Sequence, residues 1–186
     1  MSAISNFLRK FGYSRKKVNK KKYSNLSKLT EERINFISKM KDISENDVIC
    51  IDESYFMSNE FPNYGWCKKG IRLEFNQKAN PIKYSLIMAI SNKKVLCYDI
   101  VKGNINSSLF HRFLKEKLFK IIKNKYVLMD NVRFHKTKLV QDLFDESTNK
   151  FLFIPPYSPE FNCIENAFSI IKSAYRYECL QVNDEF

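Results

Sequence analysis

The sequence predicts an α/β domain in which helices cover a mixed five-stranded sheet. Two observations lead to this fold class: short β-prone runs recur from residue 47 onward, and segments with apolar residues at helical spacing lie between the later runs. The first three runs precede the first long amphipathic segment in this region, which favours antiparallel neighbours, whereas the last two alternate with helical segments, as parallel strands do. We therefore expect three antiparallel strands followed by two parallel ones.

The predicted strands are β-prone runs bounded by polar or turn-forming residues. They cover residues 48–51, 84–90, 94–101, 126–129 and 151–154. The first, Val48-Ile49-Cys50-Ile51, is continuously apolar and ends in acidic residues, as a buried strand does. A turn at Ser91-Asn92-Lys93 joins the second strand to the third, which predicts a β-hairpin.

Helical periodicity predicts five helices. They cover residues 2–11, a segment from Thr30 to about residue 40, and residues 107–123, 137–144 and 162–177. Thr30 is the expected N-cap of the second helix because Glu31 and Glu32 fall in its first turn. The run Pro155-Pro156-Tyr157-Ser158-Pro159 excludes a helix or a central strand, and we expect Asn162 to open the last helix.

Composition narrows the class of protein. A length of 186 residues allows one α/β domain with a short appendage, and 44% hydrophobic with 28% charged residues is globular composition. The sequence has no run of about 18 apolar residues and no apolar signal stretch, so we expect neither a membrane protein nor a secreted one. We expect the protein to stay where it is made or to enter a nucleus: the nucleus in a eukaryotic host, and the cytoplasm with its nucleoid in a bacterial one.

The cysteines predict neither a zinc finger nor a disulfide framework. Five cysteines are scattered singly, without a C-x-x-C pair, and the chain has only two histidines. Cys50 lies inside the first apolar run, where a cysteine is most often a small buried residue in a reducing compartment. We therefore expect Cys50 to be a reduced core residue.

The net charge of +12 is concentrated at the front of the chain. Residues 1–46 carry twelve basic and four acidic side chains, a net charge of +8, which leaves +4 for residues 47–186. The densest basic cluster is Arg15, Lys16, Lys17, Lys20, Lys21 and Lys22. Such a cluster suits DNA, because each neutralised phosphate releases condensed counterions, although a solvated tail or an import signal explains the same charges. We expect a basic DNA-binding segment with a linker at residues 1–46 and a folded domain at residues 47–186.

Three carboxylates occupy positions at which the predicted fold would gather them. Asp52 and Asp130 follow the first and fourth strands, and Glu165 falls in the first turn of the last helix. Ligands of open α/β sheets collect at such strand ends. Three adjacent acids repel one another unless a cation neutralises them, and a pair of Mg²⁺ ions bound by such oxygens can assist phosphoryl transfer. Glu53 should point to the opposite side of its strand from Asp52.

Each acid also has a structural explanation. Asp52 and Asp130 belong to a residue type that is common in turns after strands. Glu165 has the spacing from Asn162 that a helix capping box requires. His135, five residues after Asp130, is expected to orient the loop or cap the next helix rather than to touch substrate.

Three sequence blocks resemble the catalytic blocks of mariner-type transposases and the related bacterial insertion-sequence transposases, members of the DDE superfamily. The blocks are Ile51-Asp52-Glu53-Ser54, Val127-Leu128-Met129-Asp130-Asn131 with His135, and Pro155-Pro156-Tyr157-Ser158-Pro159-Glu160-Phe161-Asn162-Cys163-Ile164-Glu165-Asn166. Between Asp130 and Glu165 lie 34 residues, one of the family's typical spacings, and Gly65-Trp66 with Gly70 resembles its loop after the first acid. The resemblance covers about residues 47–177.

The resemblance implies an RNase H-like catalytic domain that cleaves and joins DNA. Asp52, Asp130 and Glu165 would bind two Mg²⁺ or Mn²⁺ ions. The supporting residues would be Asn131, His135 and Asn162. One ion would activate water to hydrolyse a phosphodiester at a transposon end, and the same site would later activate the exposed 3′-hydroxyl for joining to target DNA. The implied partners are double-stranded DNA and a second copy of the chain in a homodimer, with no membrane and no small-molecule substrate.

The sequence departs from the family pattern at a few positions. Cys163 stands where the family usually has Pro, and Phe168 stands where Trp is frequent. Residues 2–18 resemble only the last recognition helix of the paired helix-turn-helix modules that precede the catalytic domain in the family. Two alternatives stay open. One is a non-catalytic DNA-binding or domesticated transposase remnant, and the other is a different RNase H-like nuclease, which would explain the acids but not residues 155–166.

Overall fold

The computed structural model describes residues 3–13, 26–60, 68–70, 72 and 80–181. The strands in these residues are β1 (Val48–Met57), β2 (Lys83–Ile90), β3 (Val95–Lys102), β4 (Tyr126–Met129) and β5 (Lys150–Phe153). They form a sheet of order β3-β2-β1-β4-β5, in which the β1–β2 and β2–β3 pairs are antiparallel and the β1–β4 and β4–β5 pairs are parallel. The predicted mixed five-stranded sheet is therefore confirmed.

Strand β1 is longer than predicted, and it pairs with its two neighbouring strands over different lengths. It pairs with β2 from Cys50 to Met57, but with β4 only through Val48, Ile49 and Cys50. Among the described residues, no strand flanks the other edge of β1 beyond Cys50. Asp52 therefore lies where β4 leaves β1. The predicted strand ended at residue 51, because acidic residues interrupt the apolar run there, whereas pairing with β2 continues it.

The helices in the described residues are α1 (Ala3–Lys10), α2 (Leu26–Lys41), α3 (Ser107–Phe113), α4 (Lys138–Asp145) and α5 (Ile164–Gln181). Three boundary predictions were wrong, and the first of them is that Asn162 opens the last helix, because α5 begins at Ile164. Thr30 is not an N-cap, because α2 begins earlier and the Thr30 hydroxyl donates to the Leu26 carbonyl within it (3.0 Å). The predicted helix over residues 107–123 ends early, because α3 changes into a π-helical turn at Leu114–Leu118. None of the described helices is long and apolar enough to cross a membrane.

Apolar side chains cover both faces of the sheet, as the predicted layers require. The core between one face and α3, the π-helical turn and α4 includes Ile51, Ile87 and Val127 from the strands and Phe110, Leu114 and Val140 from the helical segments. The core between the other face and helices α2 and α5 includes Cys50, Met88 and Leu128 from the strands and Phe36, Ile164 and Phe168 from the helices. Successive residues of β1 therefore point to opposite cores.

Helix α2 packs on the sheet although it precedes residue 46. Phe36 is buried on the α5 side of the sheet, and its ring centroid lies 5.1 Å from that of Phe161. Arg33 forms an ion pair with Glu160 and donates to the Ser158 hydroxyl (3.3 Å). These contacts join α2 to the loop before α5, while the division of the chain at residue 46 stays a prediction.

Cys50 is not the reduced core residue that the sequence indicated. It forms a disulfide with Cys163, at a sequence separation of 113. Cys50 lies on the face of the sheet that α5 covers, and Cys163 comes directly before α5, so the fold brings together two cysteines that are isolated in the sequence. The disulfide ties the strand that carries Asp52 to the start of the helix that carries Glu165.

Candidate active site

The three predicted acids line one pocket at the carboxyl end of β4, beside the middle of β1. The pocket has a volume of about 350 Å³, and Asp52, Asp130 and Glu165 all border it. Its remaining wall includes the loop of residues 154–159 that follows β5, together with Asn131 and Asn162. The proline-rich loop turns the chain away from the sheet, so that α5 starts beside the pocket.

Asp52 is the most buried of the three acids, with 9% of its surface exposed. Its Oδ1 accepts from the backbone N–H of Glu53 (2.7 Å), and its Oδ2 accepts from Nδ2 of Asn162 (2.6 Å). Burial raises the pKa of Asp52 to about 7; the Glu53 N–H opposes this rise, whereas repulsion from Glu53 and Asp130 adds to it. Without a metal ion, Asp52 therefore stays protonated up to a pH well above that at which an ordinary carboxyl group loses its proton.

Asn162 does not form the capping box that offered a structural explanation for Glu165. Its amide nitrogen is used by Asp52, and α5 begins only at Ile164. Its Oδ1 is buried and finds no hydrogen-bond partner among the described residues, whereas a capping residue would use that oxygen as an acceptor. Asn162 therefore lies at the pocket with its amide on the carboxylate of Asp52, and its supporting role stays a prediction.

His135 is fully buried and joins two carboxylates. Its Nδ1 lies 2.9 Å from Oδ1 of Asp130, and its Nε2 lies 3.1 Å from Oε1 of Glu53. Its ring packs 4.1 Å from that of Phe110, between centroids. Burial lowers the pKa of His135, but the hydrogen bonds to Asp130 and Glu53 outweigh it and raise the pKa to about 9. His135 thus contacts the carboxylate of Asp130, and its role in orienting the loop stays a prediction.

The pocket suits a divalent cation by its chemistry, but its acids do not form a closed cluster. Oxygen ligands are those that Mg²⁺ prefers, and a cation would relieve the repulsion that helps to raise the pKa of Asp52. However, in the described part of the chain no group of three or more His, Cys, Asp or Glu side chains could hold a metal ion. Glu165, which is exposed, shares the pocket with Asp52 and Asp130 without closing a ligand set.

The structure brings together most of the residues that the sequence singled out. Asn131 and Asn162 line the pocket with the acids, and His135 stands behind Asp130. The cluster at residues 15–22 and the loop at Gly65-Trp66 lie outside the described residues. The contact of Glu53 with His135 was not predicted, although strand alternation had put Glu53 on the side away from Asp52. No local signal indicated a partner 82 positions away.

We expect the stability of the metal-free protein to fall with rising pH around this site. Native Asp52 keeps its proton to about pH 7, against 3.8 for an ordinary carboxyl, and native His135 keeps its proton to about pH 9, against 6.5. Between pH 3.8 and 7 for Asp52, and between pH 6.5 and 9 for His135, the folded state binds more protons than the unfolded state. The free energy of unfolding therefore decreases as pH rises.

The melting temperature in EDTA should show this dependence when wild type is compared with Asp52→Asn. The wild type should lose on the order of 5 °C relative to the variant between pH 4 and 7. Above pH 7 the two proteins should change in parallel, because the variant retains His135. A wild type that gains stability relative to Asp52→Asn between pH 4 and 7 would contradict the raised pKa of Asp52.

The mixed sheet and the acid-lined pocket at its strand ends define an RNase H-like α/β domain. The chain belongs to the DDE superfamily endonucleases, because the model of that family matches residues 47–185. This match confirms the family that the three sequence blocks indicated. A sequence search of curated proteins finds no significant match.

Solved transposase structures share the fold at low sequence identity. The Mos1 strand transfer complex aligns with a TM-score of 0.71 and 20% identity, over 92% of this chain and 55% of that chain. The Mos1 mariner paired end complex with Mn gives 0.68 and 20%, over 92% and 56%. The catalytic domain of Mos1 mariner transposase gives 0.57 and 17%, over 82% and 74%. The chain thus spans little more than half of the Mos1 chains in the two complexes.

Proposed function

We propose that this chain is the catalytic part of a mariner-like transposase. It would cleave DNA strands at transposon ends and then join the exposed 3′-hydroxyl to target DNA. The observation that carries the proposal is the pocket shared by Asp52, Asp130 and Glu165, within the stretch that matches the DDE endonucleases. The burial of Asp52 and its contact with Asn162 support a functional role over a simple strand-end turn.

Asp52, Asp130 and Glu165 would hold two Mg²⁺ or Mn²⁺ ions. Such ions, when bound, activate an oxygen nucleophile and neutralise charge on the phosphodiester. The chain's own residues prepare the carboxylates: Asn162 fixes Oδ2 of Asp52, and His135 fixes Oδ1 of Asp130. Asp52 must lose its proton before it can bind a cation, so we propose that metal affinity rises through about pH 7.

Charge and structural relatives support DNA as the substrate. The net charge of +12 favours binding to a polyanion, and the densest cluster of basic side chains is at residues 15–22. The aligned Mos1 structures include a strand transfer complex and a paired-end complex with the left transposon end. By analogy we propose double-stranded DNA, as transposon ends and target, for this chain, and a homodimer on that DNA. A nuclear or nucleoid location would follow from such a substrate.

Plasmid nicking tests the proposed function directly. The purified 186-residue chain should nick supercoiled DNA with Mg²⁺ or Mn²⁺ and stop when EDTA is added. It should also join a pre-cleaved 3′-end oligonucleotide to the plasmid. DNA binding without nicking in either metal would instead favour the non-catalytic remnant. Nicking without end joining would favour another RNase H-like nuclease.

We expect the basic cluster to supply most of the non-specific DNA affinity. Replacing Arg15, Lys16, Lys17, Lys20, Lys21 and Lys22 by Gln removes up to six phosphate contacts. The slope of log K against log salt is negative, and its magnitude should then decrease by about 4 to 5. The control replaces Lys93 and Lys94, in the turn between β2 and β3, and should change the slope by less than about 1. An unchanged slope in the six-residue variant would place the DNA footprint on the catalytic face.

A further inference from the structure

A second pocket adjoins the acidic pocket along the open edge of β1. It has a volume of about 390 Å³, and Glu165 borders both pockets. Its walls are β1 beyond Asp52 and the middle of α5, including Tyr55, Lys172 and Arg176. A DNA strand that passes Glu165 would therefore enter this second pocket, which lies beyond Asp52 and Asp130.

Tyr55 is the exposed aromatic residue of the second pocket. Its surface is 53% exposed, although it lies within a strand. Two ammonium groups approach its ring: Nζ of Lys83 lies 4.7 Å from the centroid and Nζ of Lys172 lies 5.2 Å from it. The lysines come from β2 and α5, so the fold gathers one aromatic ring and two cations from three elements.

The two ammonium groups beside the ring of Tyr55 are available to a phosphate. Arg176 is engaged, because its Nε pairs with Oε2 of Glu60 (3.3 Å). Among the described residues, neither Lys83 nor Lys172 has a carboxylate within ion-pair distance; Lys83 instead donates to Oδ1 of Asn104 (2.5 Å). A lysine held over an exposed ring is held weakly. Both lysines can therefore exchange the ring for a stronger anionic partner.

We propose that the second pocket binds an unpaired nucleotide next to the phosphodiester held in the acidic pocket. Tyr55 stacks on the base, and Lys172 and Lys83 neutralise the flanking phosphates. Stacking on an exposed aromatic ring requires a base that has left the duplex, and it tolerates any sequence because every base has a π face. This inference rests on the proposed function, since DNA must occupy the acidic pocket for the second pocket to receive its flank.

A fluorescent base analogue tests the proposal in the full chain. The probe is a duplex oligonucleotide with a short single-stranded flank in which one base is 2-aminopurine. Binding is measured in EDTA, which prevents cleavage, and nicking is then measured after Mg²⁺ is added. The variants are Tyr55→Leu, Tyr55→Phe and Lys172→Gln. The matched control is Lys150→Gln, because Lys150 lies over the ring of Tyr126 (5.7 Å) at the other end of the parallel strands.

We expect the wild type to quench the 2-aminopurine by stacking. Tyr55→Leu should lose the quenching and weaken binding about tenfold, whereas Tyr55→Phe should retain both. Lys172→Gln should decrease the magnitude of the slope of log K against log salt by about 0.7, the value for one phosphate of a single strand. Lys150→Gln should leave quenching and slope unchanged.

The outcomes separate this proposal from the proposed function. Nicking by wild type together with equal quenching by wild type and Tyr55→Leu would overturn the nucleotide pocket and leave the endonuclease intact. Quenching that depends on Tyr55, without nicking in Mg²⁺ or Mn²⁺, would support the nucleotide pocket and overturn the catalytic proposal. A wild type that does not bind the probe would overturn both.

Discussion

Asp130→Asn should abolish metal-dependent nicking and end joining while the protein stays folded. The substitution keeps the size of the side chain and an oxygen that can accept from Nδ1 of His135, which lies 2.9 Å from Oδ1. It removes one negative charge from the set that would hold the cations. We expect at least a 10³-fold loss of nicking rate, because metal-ion catalysis supplies several kcal/mol of transition-state stabilisation.

The melting temperature with and without Mn²⁺ separates loss of metal from loss of fold. A ligand that binds only the native state stabilises it by mass action, so wild type should melt higher in Mn²⁺ and Asp130→Asn should not. The matched control is Asp145→Asn, because Asp145 is an exposed carboxylate at the end of α4. It should nick and respond to Mn²⁺ like wild type. A wild type without a metal-induced shift, together with an Asp130→Asn variant that nicks normally, would contradict the two-metal mechanism.

The sheet could be predicted because its strands are local patterns. The buried strand β4 was predicted at its observed bounds, since it is a short apolar run between polar residues. Asp130 follows from the same pattern, because a chain that leaves a buried strand can become polar. Asp52 was located by the end of its apolar run, although β1 continues past it to Met57. The position of Glu165 followed from the proline-rich loop, which ends before a helix. Strand and helix periodicity, together with turn chemistry, thus located all three acids.

The supporting contacts could not be predicted, because they join residues that are far apart in sequence. Asn162 had the spacing of a capping residue, yet its amide donates to Asp52 at a separation of 110 residues. The length of β1 depends on its pairing with β2 rather than on its own apolar run. The cysteines gave no spacing signal, so only the packing of α5 on the sheet could pair Cys50 with Cys163.

Reduction of the Cys50–Cys163 disulfide should destabilise the protein by about 3 to 5 kcal/mol, because the bond closes a loop with a sequence separation of 113. In the chain-entropy description, such a cross-link restricts the unfolded state, and long loops give the largest effect. Urea denaturation with and without a phosphine reductant measures the change in the free energy of unfolding. Cys163→Ser should match the reduced wild type and no longer respond to reductant.

The disulfide should also affect the metal site, because it replaces a rigid Pro of the family pattern directly before the helix that carries Glu165. Cys50 lies two residues before Asp52, and Cys163 lies between Asn162 and α5, so reduction frees the helix start from the strand that holds the first acid. We therefore expect the Mn²⁺-induced rise in melting temperature to shrink after reduction and in Cys163→Ser. Cys97→Ser, on the partly buried edge strand β3, should change neither quantity. Equal denaturation midpoints with and without reductant would contradict this role, and so would a peptide map without the Cys50–Cys163 link. The start of α5 would then be held only by the Asn162–Asp52 hydrogen bond and by core packing.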